Sequence, residues 1–145
     1  MIFPVLKENI LLSISYDKKT NVIKIVSDYD SISESHRSFV LFEFRGITKI
    51  RLTKGISNRL FNILDYTSHS HSFVVVFQDF NIVSFEEVYF VEIDLGLSYG
   101  KVDFYVESLD FKKRVLYAKK IKNDFQYFDS DTHLKVDFYH PFENF

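Results

Sequence analysis

Residues 83–109, VSFEEVYFVEIDLGLSYGKVDFYVESL, constrain the fold more than any other stretch of the chain. Two runs of alternating polarity flank a loop that holds Gly96 and Gly100. In the first run Tyr89, Val91, Ile93 and Leu95 alternate with Glu86, Val88, Phe90, Glu92 and Asp94. In the second, Val102, Phe104 and Val106 alternate with Asp103, Tyr105 and Glu107. Successive side chains of a strand point to opposite faces, so each run has a core face and an outer face. A slip of one residue would turn a whole hydrophobic set into water. Matching core to core sets Leu95 opposite Val102, Ile93 opposite Phe104 and Val91 opposite Val106. The outer face then places Asp94 against Asp103, Glu92 against Tyr105 and Phe90 against Glu107.

Like charges directly across a ladder destabilise it, so this face needs compensation. Cations from a neighbouring strand of the same chain could supply it, with Arg114 and Lys120 of residues 111–121 in reach by sequence. A basic partner protein could supply it instead. A divalent cation is the third source, but carboxylates spread on a flat strand pair lack a loop that wraps the ion, so no metal site is expected.

Composition points the same way as the alternation. The chain has 17 Phe and 9 Tyr, and its one Ala is Ala118. Aromatics favour strands and Ala favours helices, so the balance is toward β structure. At 145 residues, with no linker rich in Pro, Gly or Ser, residues 1–145 read as a single domain able to bury a substantial core. The absence of Cys excludes disulfides and thiolate chemistry. The apolar runs near the N-terminus are broken by Pro4, Lys7 and Glu8, too short for a signal-peptide core or a membrane span. A cytoplasmic protein is expected.

Read in order, residues 9–16 and 22–28 flank a turn at 17–21, which makes a hairpin. Residues 28–36 read as a polar loop. A strand is expected at 38–44, a bulge or corner at Arg45-Gly46, and a strand at 47–52. Residues 57–66 are ambiguous: Leu60, Ile63 and Leu64 fit a helical turn, Phe61 and Ile63 fit a strand, and we assign a strand. A loop at 67–72, a strand at 73–77 and a turn at 78–81 lead into the acidic hairpin. Strands at 115–121 and 134–139 follow. The pentapeptide KVDFY occurs at 101–105 and again at 135–139, read as two strands in similar half-buried settings. The expected fold is mostly β: an antiparallel sheet or two-layer sandwich of nine to ten short strands, with at most one short helix.

Charge is unevenly spread behind a net −2. Residues 79–110 carry eight acids against Lys101 alone, while 111–122 carry six bases and no acid. Such blocks create a directional field that can steer a charged partner, or they pair with one another inside the fold. The bases Lys112, Lys113, Arg114, Lys119, Lys120 and Lys122 interleave with Phe111, Tyr117 and Ile121, a pattern compatible with single-stranded nucleic acid. The flanking acids would repel phosphate, which makes an internally paired or solvated strand the better reading.

Catalytic patterns are missing from the sequence. It has no G-x-S-x-G elbow, no H-E-x-x-H and, with 4 Gly in all, no phosphate-cradling loop. His69 and His71 share a Ser-rich segment without a third ligand at suitable spacing, and His133 and His140 read as surface or packing residues. The adjacent Glu86-Glu87 and the Asp129–Asp131 pair would need one carboxyl desolvated to act as acid and base. Neither a cofactor nor an enzymatic activity is expected.

Residues 39–52, FVLFEFRGITKIRL, followed by SNRLFNIL at 57–64, resemble the F-x-L-x-F-x-G-[IV]-x-x-[IL] strand–bulge–strand pattern of small β-rich immunity proteins. These accompany bacterial polymorphic toxins, including contact-dependent growth inhibition systems. The resemblance covers residues 39–66. It implies an intracellular inhibitor that binds a cognate toxin C-terminal domain, often a nuclease, and blocks its active or substrate-binding surface. No membrane association is implied. The acidic hairpin would be the contacting face, through Glu86, Phe90, Glu92, Asp94, Asp103, Tyr105 and Glu107, with the two aromatics as anchors. Two other classes remain open: a single-stranded nucleic-acid module on the basic strand, and a phage or mobile-element structural subunit that self-associates through an edge strand.

Overall fold

Asp17 makes the first reversal of the chain: its Oδ1 accepts the N–H groups of Lys19 at 3.0 Å and Thr20 at 3.5 Å, and Asn21 takes φ +57°. Asp and Asn suit this role because their short side chains bond the backbone locally and tolerate the left-handed region. The computed structural model describes residues 3–33, 35–65 and 71–143. It sets β1 (Ile10–Asp17) against β2 (Val22–Ser33), followed by β3 (His36–Arg45), β4 (Thr48–Lys54), α1 (Arg59–Asp65) and β5 (His71–Val76). Then come β6 (Asp79–Phe85), β7 (Val88–Asp94), α2 (Gly96–Tyr99), β8 (Gly100–Val106), β9 (Ser108–Ile121), β10 (Asp124–Asp129) and β11 (Lys135–Val136).

The described strands form two antiparallel sheets. One has seven strands in the order β11-β10-β9-β3-β2-β1-β5, the other four in the order β4-β8-β7-β6. The chain changes sheet at a shared corner. Gly46, at φ +71°, carries it from β3 to β4, and Glu107 carries it from β8 to β9 alongside, donating its N–H to Arg45 O at 3.0 Å. A Cβ at Gly46 would sit 2.7 Å from the Glu107 carboxylate, so the corner needs glycine for space as well as for its backbone angle. The Arg45-Gly46 corner expected from the sequence is therefore a crossing between sheets.

The main core lies between the sheets. Val40, Phe42 and Phe44 of β3 and Ile23 and Ile25 of β2 meet Val91 and Ile93 of β7 and Val102, Phe104 and Val106 of β8. Phe44 meets Phe104 edge-to-face at 5.5 Å, and Phe42 touches Phe80 at 5.3 Å. A second cluster on the far side of the large sheet buries Leu12, Phe39 and Leu116 beneath Phe138 and Phe142 of the C-terminal segment.

Several local expectations are corrected. Where a loop is expected at 28–36, β2 runs on to Ser33 and β3 begins at His36. Asp28 is satisfied within the ladder, accepting the N–H of Ile10 at 2.6 Å and pairing with Arg37, so its polarity does not end the strand. Residues 59–65 are helical: Leu60, Ile63 and Leu64 enter the core while Phe61 stays exposed, so the three-to-four spacing wins over alternation. With α2, the described residues hold two helices and eleven strands. Asp79 already begins β6, so the turn expected at 78–81 is shorter. The strand expected at 115–121 starts seven residues earlier, at Ser108. The strand expected at 134–139 shrinks to Lys135–Val136. Of the loop expected at 67–72, His71 and Ser72 begin β5; Tyr66 and His69 lie outside the described residues.

Candidate protein-binding face

The outward face of the four-stranded sheet is built in rows, and each row follows from the pairing register. The β7–β8 ladder sets Ile93 opposite Val102, Val91 opposite Phe104 and Tyr89 opposite Val106. This is two residues away from the expected register. The same side chains face the core, but their partners across the ladder differ. On the outer face Asp94 therefore meets Lys101, Glu92 meets Asp103 and Phe90 meets Tyr105. The expected Asp94–Asp103 clash is replaced by Glu92 against Asp103.

A second like-charge pair, Asp79 against Asp94, stands on the β6–β7 ladder, where Asp79 accepts the N–H of Phe80 at 2.9 Å and an N–H of the Asn81 side chain at 3.1 Å. The Glu92–Asp103 pair is compensated from both sides by the same sheet. Lys101 Nζ reaches Glu92 Oε2 at 2.9 Å, and Arg51 of β4 reaches Asp103 Oδ2 at 3.2 Å through Nη2. Two acids next to Lys101, beyond its bonded partner Glu92, raise its pKa further, with the Glu92 hydrogen bond the main cause. Asp94 Oδ1 accepts the N–H of Gly96 at 2.9 Å, which ends β7 and starts α2. Compensation thus comes from within the chain, but from β4 and β8. The proposed donors Arg114 and Lys120 lie on β9, which pairs with β3 and β10 in the other sheet.

The expected contact residues separate into three groups. Phe90 and Tyr105 face outward, half-buried, with ring centroids 4.9 Å apart. Lys49 Nζ sits 5.6 Å from the Tyr105 ring. Glu92, Asp94 and Asp103 share their face but are engaged, and Asp103 is only 5% exposed beneath Arg51. Glu86, in the β6–β7 turn at φ +54°, and Glu107, at the corner after β8, are exposed at the same end of the strands, since Phe85 pairs with Val88 and Tyr89 with Val106. Sequence reasoning missed Val83 and Phe85 of β6, which are 46% and 58% exposed. Val83 pairs with Phe90 and Phe85 with Val88, so an apolar row runs Val83–Phe90–Tyr105 across three strands. Both residues were legible as outward positions, two and four places beyond Asn81 in the same alternation.

The basic strand does not form one stripe. Period two sends Lys113 and Lys119 to one face of β9 and Lys112, Arg114 and Lys120 to the other, with Lys122 in the following turn at φ +51°. Arg114 is 8% exposed, and donates to Asp129 Oδ2 and to Pro141 O, each at 2.6 Å. On the opposite face Tyr117 stacks on Phe128 at 5.4 Å, Lys119 Nζ lies 5.7 Å from both rings, and Tyr117 Oη is 3.1 Å from His133 Nδ1.

An open cleft of about 570 Å³ adjoins the paired acidic rows, lined by Thr53, Gly55, Gln78, Asp94 and Lys101 among others. Among the described residues no group of three or more His, Asp or Glu is placed to hold a metal ion. No described helix is long and apolar enough to cross a membrane. Comparison of the chain with protein-family models, with curated proteins and with solved structures gave no match.

Proposed function

We propose that the chain is a protein-binding inhibitor of the immunity type, which docks on a cognate toxin domain through the outward face of its four-stranded sheet. The observation that carries this reading is the apolar row Val83–Phe90–Tyr105, held on paired strands, continued on one side by Phe85 and Val88 and bordered on the other by ion-paired polar residues. Binding energy in protein interfaces concentrates in a few aromatic anchors with polar groups around them, and this face supplies two touching aromatics with an ion-paired row beside them. The resemblance over residues 39–66 supplies the partner class: the C-terminal domain of a bacterial toxin, blocked at its active or substrate-binding surface in the cytoplasm. Because Glu92, Asp94 and Asp103 are engaged internally, the exposed Glu86 and Glu87 at the turn are left to steer a basic toxin such as a nuclease, raising association rate more than affinity.

The test is capture from host lysate by the tagged chain, eluted after a high-salt wash, alongside a Phe90→Ala/Tyr105→Ala variant with an unchanged circular dichroism spectrum. One stoichiometric toxin domain is expected on the wild type, with affinity reduced on the order of tenfold or more in the variant. Coexpression with that toxin should restore growth only for the wild type. Equal retention by both chains would overturn the assignment of the face. Recovery of salt-released nucleic acid alone would favour the Tyr117–Phe128–Lys119 surface and a nucleic-acid role.

A further inference from the structure

The four-stranded sheet has two edges, and they are built differently. At one edge β4 carries Lys49, Arg51 and Lys54, and its pairing with β8 is broken by a register shift between Thr48 and Arg51. Charge and irregularity of this kind block pairing with another chain. At the other edge β6, DFNIVSF, has no Lys, Arg or Pro, and it pairs with β7 without a shift from Asp79–Asp94 to Phe85–Val88. Among the described residues no strand lies beyond it. Five of its seven residues, Asp79, Asn81, Val83, Ser84 and Phe85, are exposed. Asp79 Oδ1 accepts the N–H of Phe80 at 2.9 Å, and from Asn81 to Phe85 the strand presents a regular template for another strand.

We propose that β6 is a self-recognition edge, and that two copies of the chain pair antiparallel along Asp79–Phe85, joining their four-stranded sheets into one. The sequence of β6 fits its own reverse. A two-fold axis at Ile82 sets Ile82 against its counterpart, Asn81 against Val83, Phe80 against Ser84 and Asp79 against Phe85. Every pair joins positions of the same alternation, so core face continues core face and outer face continues outer face. The single charge of each strand, Asp79, falls at opposite ends of the paired strands, so the two carboxylates never oppose each other. The contact is isologous and closes at two copies. An interface of one short strand pair and its flanking side chains lies at the small end of specific contacts, so the dimer is concentration-dependent. This inference does not rest on the toxin-binding reading: its interface is the backbone edge of β6. Val83 belongs to both surfaces, and Phe85, outside the Val83–Phe90–Tyr105 row, separates the two in the test.

Sedimentation velocity of the full chain from about 1 µM to about 500 µM tests it, because that range spans the strength of small interfaces. A shift from monomer to dimer is expected in the wild type. Val83→Lys and Phe85→Lys, each on an exposed position of the edge, should hold the chain monomeric, whereas Val74→Lys on the exposed part of β5 should leave the dimer intact. The chain has no cysteine, so introduced thiols report cleanly. Chains with Asn81→Cys mixed with chains with Val83→Cys should form a disulfide-linked pair faster than either variant alone. A monomer across the whole range, a dimer that survives Val83→Lys or is lost with Val74→Lys, or masses beyond two copies would overturn the proposal.

Discussion

The pentapeptide KVDFY appears twice in this chain with two different structures. At 101–105 it is a central strand: Val102 and Phe104 are fully buried, Lys101 pairs with Glu92, Asp103 lies beneath Arg51, and Tyr105 joins the outer row. At 135–139 only Lys135 and Val136 are in a strand. Asp137 makes a turn by accepting the N–H of Tyr139 at 3.0 Å, Phe138 lies half-buried on Phe39 at 5.5 Å, and Tyr139 is exposed. Identical side chains therefore have identical local preferences and different outcomes. The first copy has a paired strand on each side, β4 and β7, and the second has only β10. Neighbouring strands, and not the pentapeptide's own propensity, make the first copy a strand along its whole length.

The largest test of this difference is deletion of the same ring in the two copies. Phe104→Ala should cost about 3–5 kcal/mol, because the ring is enclosed in the main core and packs edge-to-face on Phe44. Phe138→Ala should cost roughly half as much, because its ring keeps a solvent-facing side and the surrounding segment can settle. Urea unfolding of both variants measures the gap. Equal losses would mean that the second copy is as well enclosed as the first.

The aspartates separate the copies more finely. In the first copy, Asp103 is opposite Glu92, so Arg51→Ala should leave a buried carboxylate facing a like charge, at a cost of about 1–2 kcal/mol. Asp103→Asn removes the repulsion together with the ion pair and strands no buried charge, since Arg51 is mostly exposed; its effect should stay within about 0.5 kcal/mol. In the second copy Asp137→Asn should be close to neutral, because Asn supplies the same turn-closing oxygen. Chemical unfolding midpoints of the three variants check the order. A loss for Asp103→Asn as large as for Arg51→Ala would show that the ion pair itself, and not relief of repulsion, governs that row.

The same contrast explains which parts of the molecule could be read from sequence. Alternation identifies the faces of β7 and β8 correctly, because period two fixes parity. It does not fix the partner, since a register displaced by two residues matches core to core equally well. The observed register depends on where β7 ends, and that is set by the Asp94 bond to Gly96 N–H and by Leu95 N–H bonding Gly100 O at 2.8 Å. The anchors Phe90 and Tyr105 were visible as outward aromatics, but their mutual contact was not. The cation run at 112–122 reads as one patch only until strand geometry divides it, and burial of Arg114 depends on Asp129 and Pro141, both distant in sequence. Residues 57–66 carried both periods at once, and only the core above them decides for the helix.

Acid should act on the second copy before the first. The turn that leads into it is held by Asp129, whose carboxyl the Arg114 guanidinium at 2.6 Å keeps well below the usual carboxylate range, with further help from the N–H groups of Thr132 at 2.9 Å and Asp131 at 2.8 Å. Because folding favours the ionised form, this contribution is complete above the unfolded-state value near 4 and is lost as pH falls from about 4 toward the depressed folded value. Asp129→Asn keeps an acceptor for the turn but gives up the charge. The stability difference between wild type and this variant should therefore be constant above about pH 5 and shrink steadily toward about pH 2. The readout is the pH dependence, because Arg114 is only 8% exposed and the variant leaves that guanidinium without its carboxylate partner at neutral pH. Urea midpoints across that range, with ring resonances of Phe138 and Phe104 followed by NMR, provide the measurement. Phe138 should change environment while Phe104 remains native-like. Simultaneous loss of both would mean that the C-terminal cover and the inter-sheet core unfold as one unit.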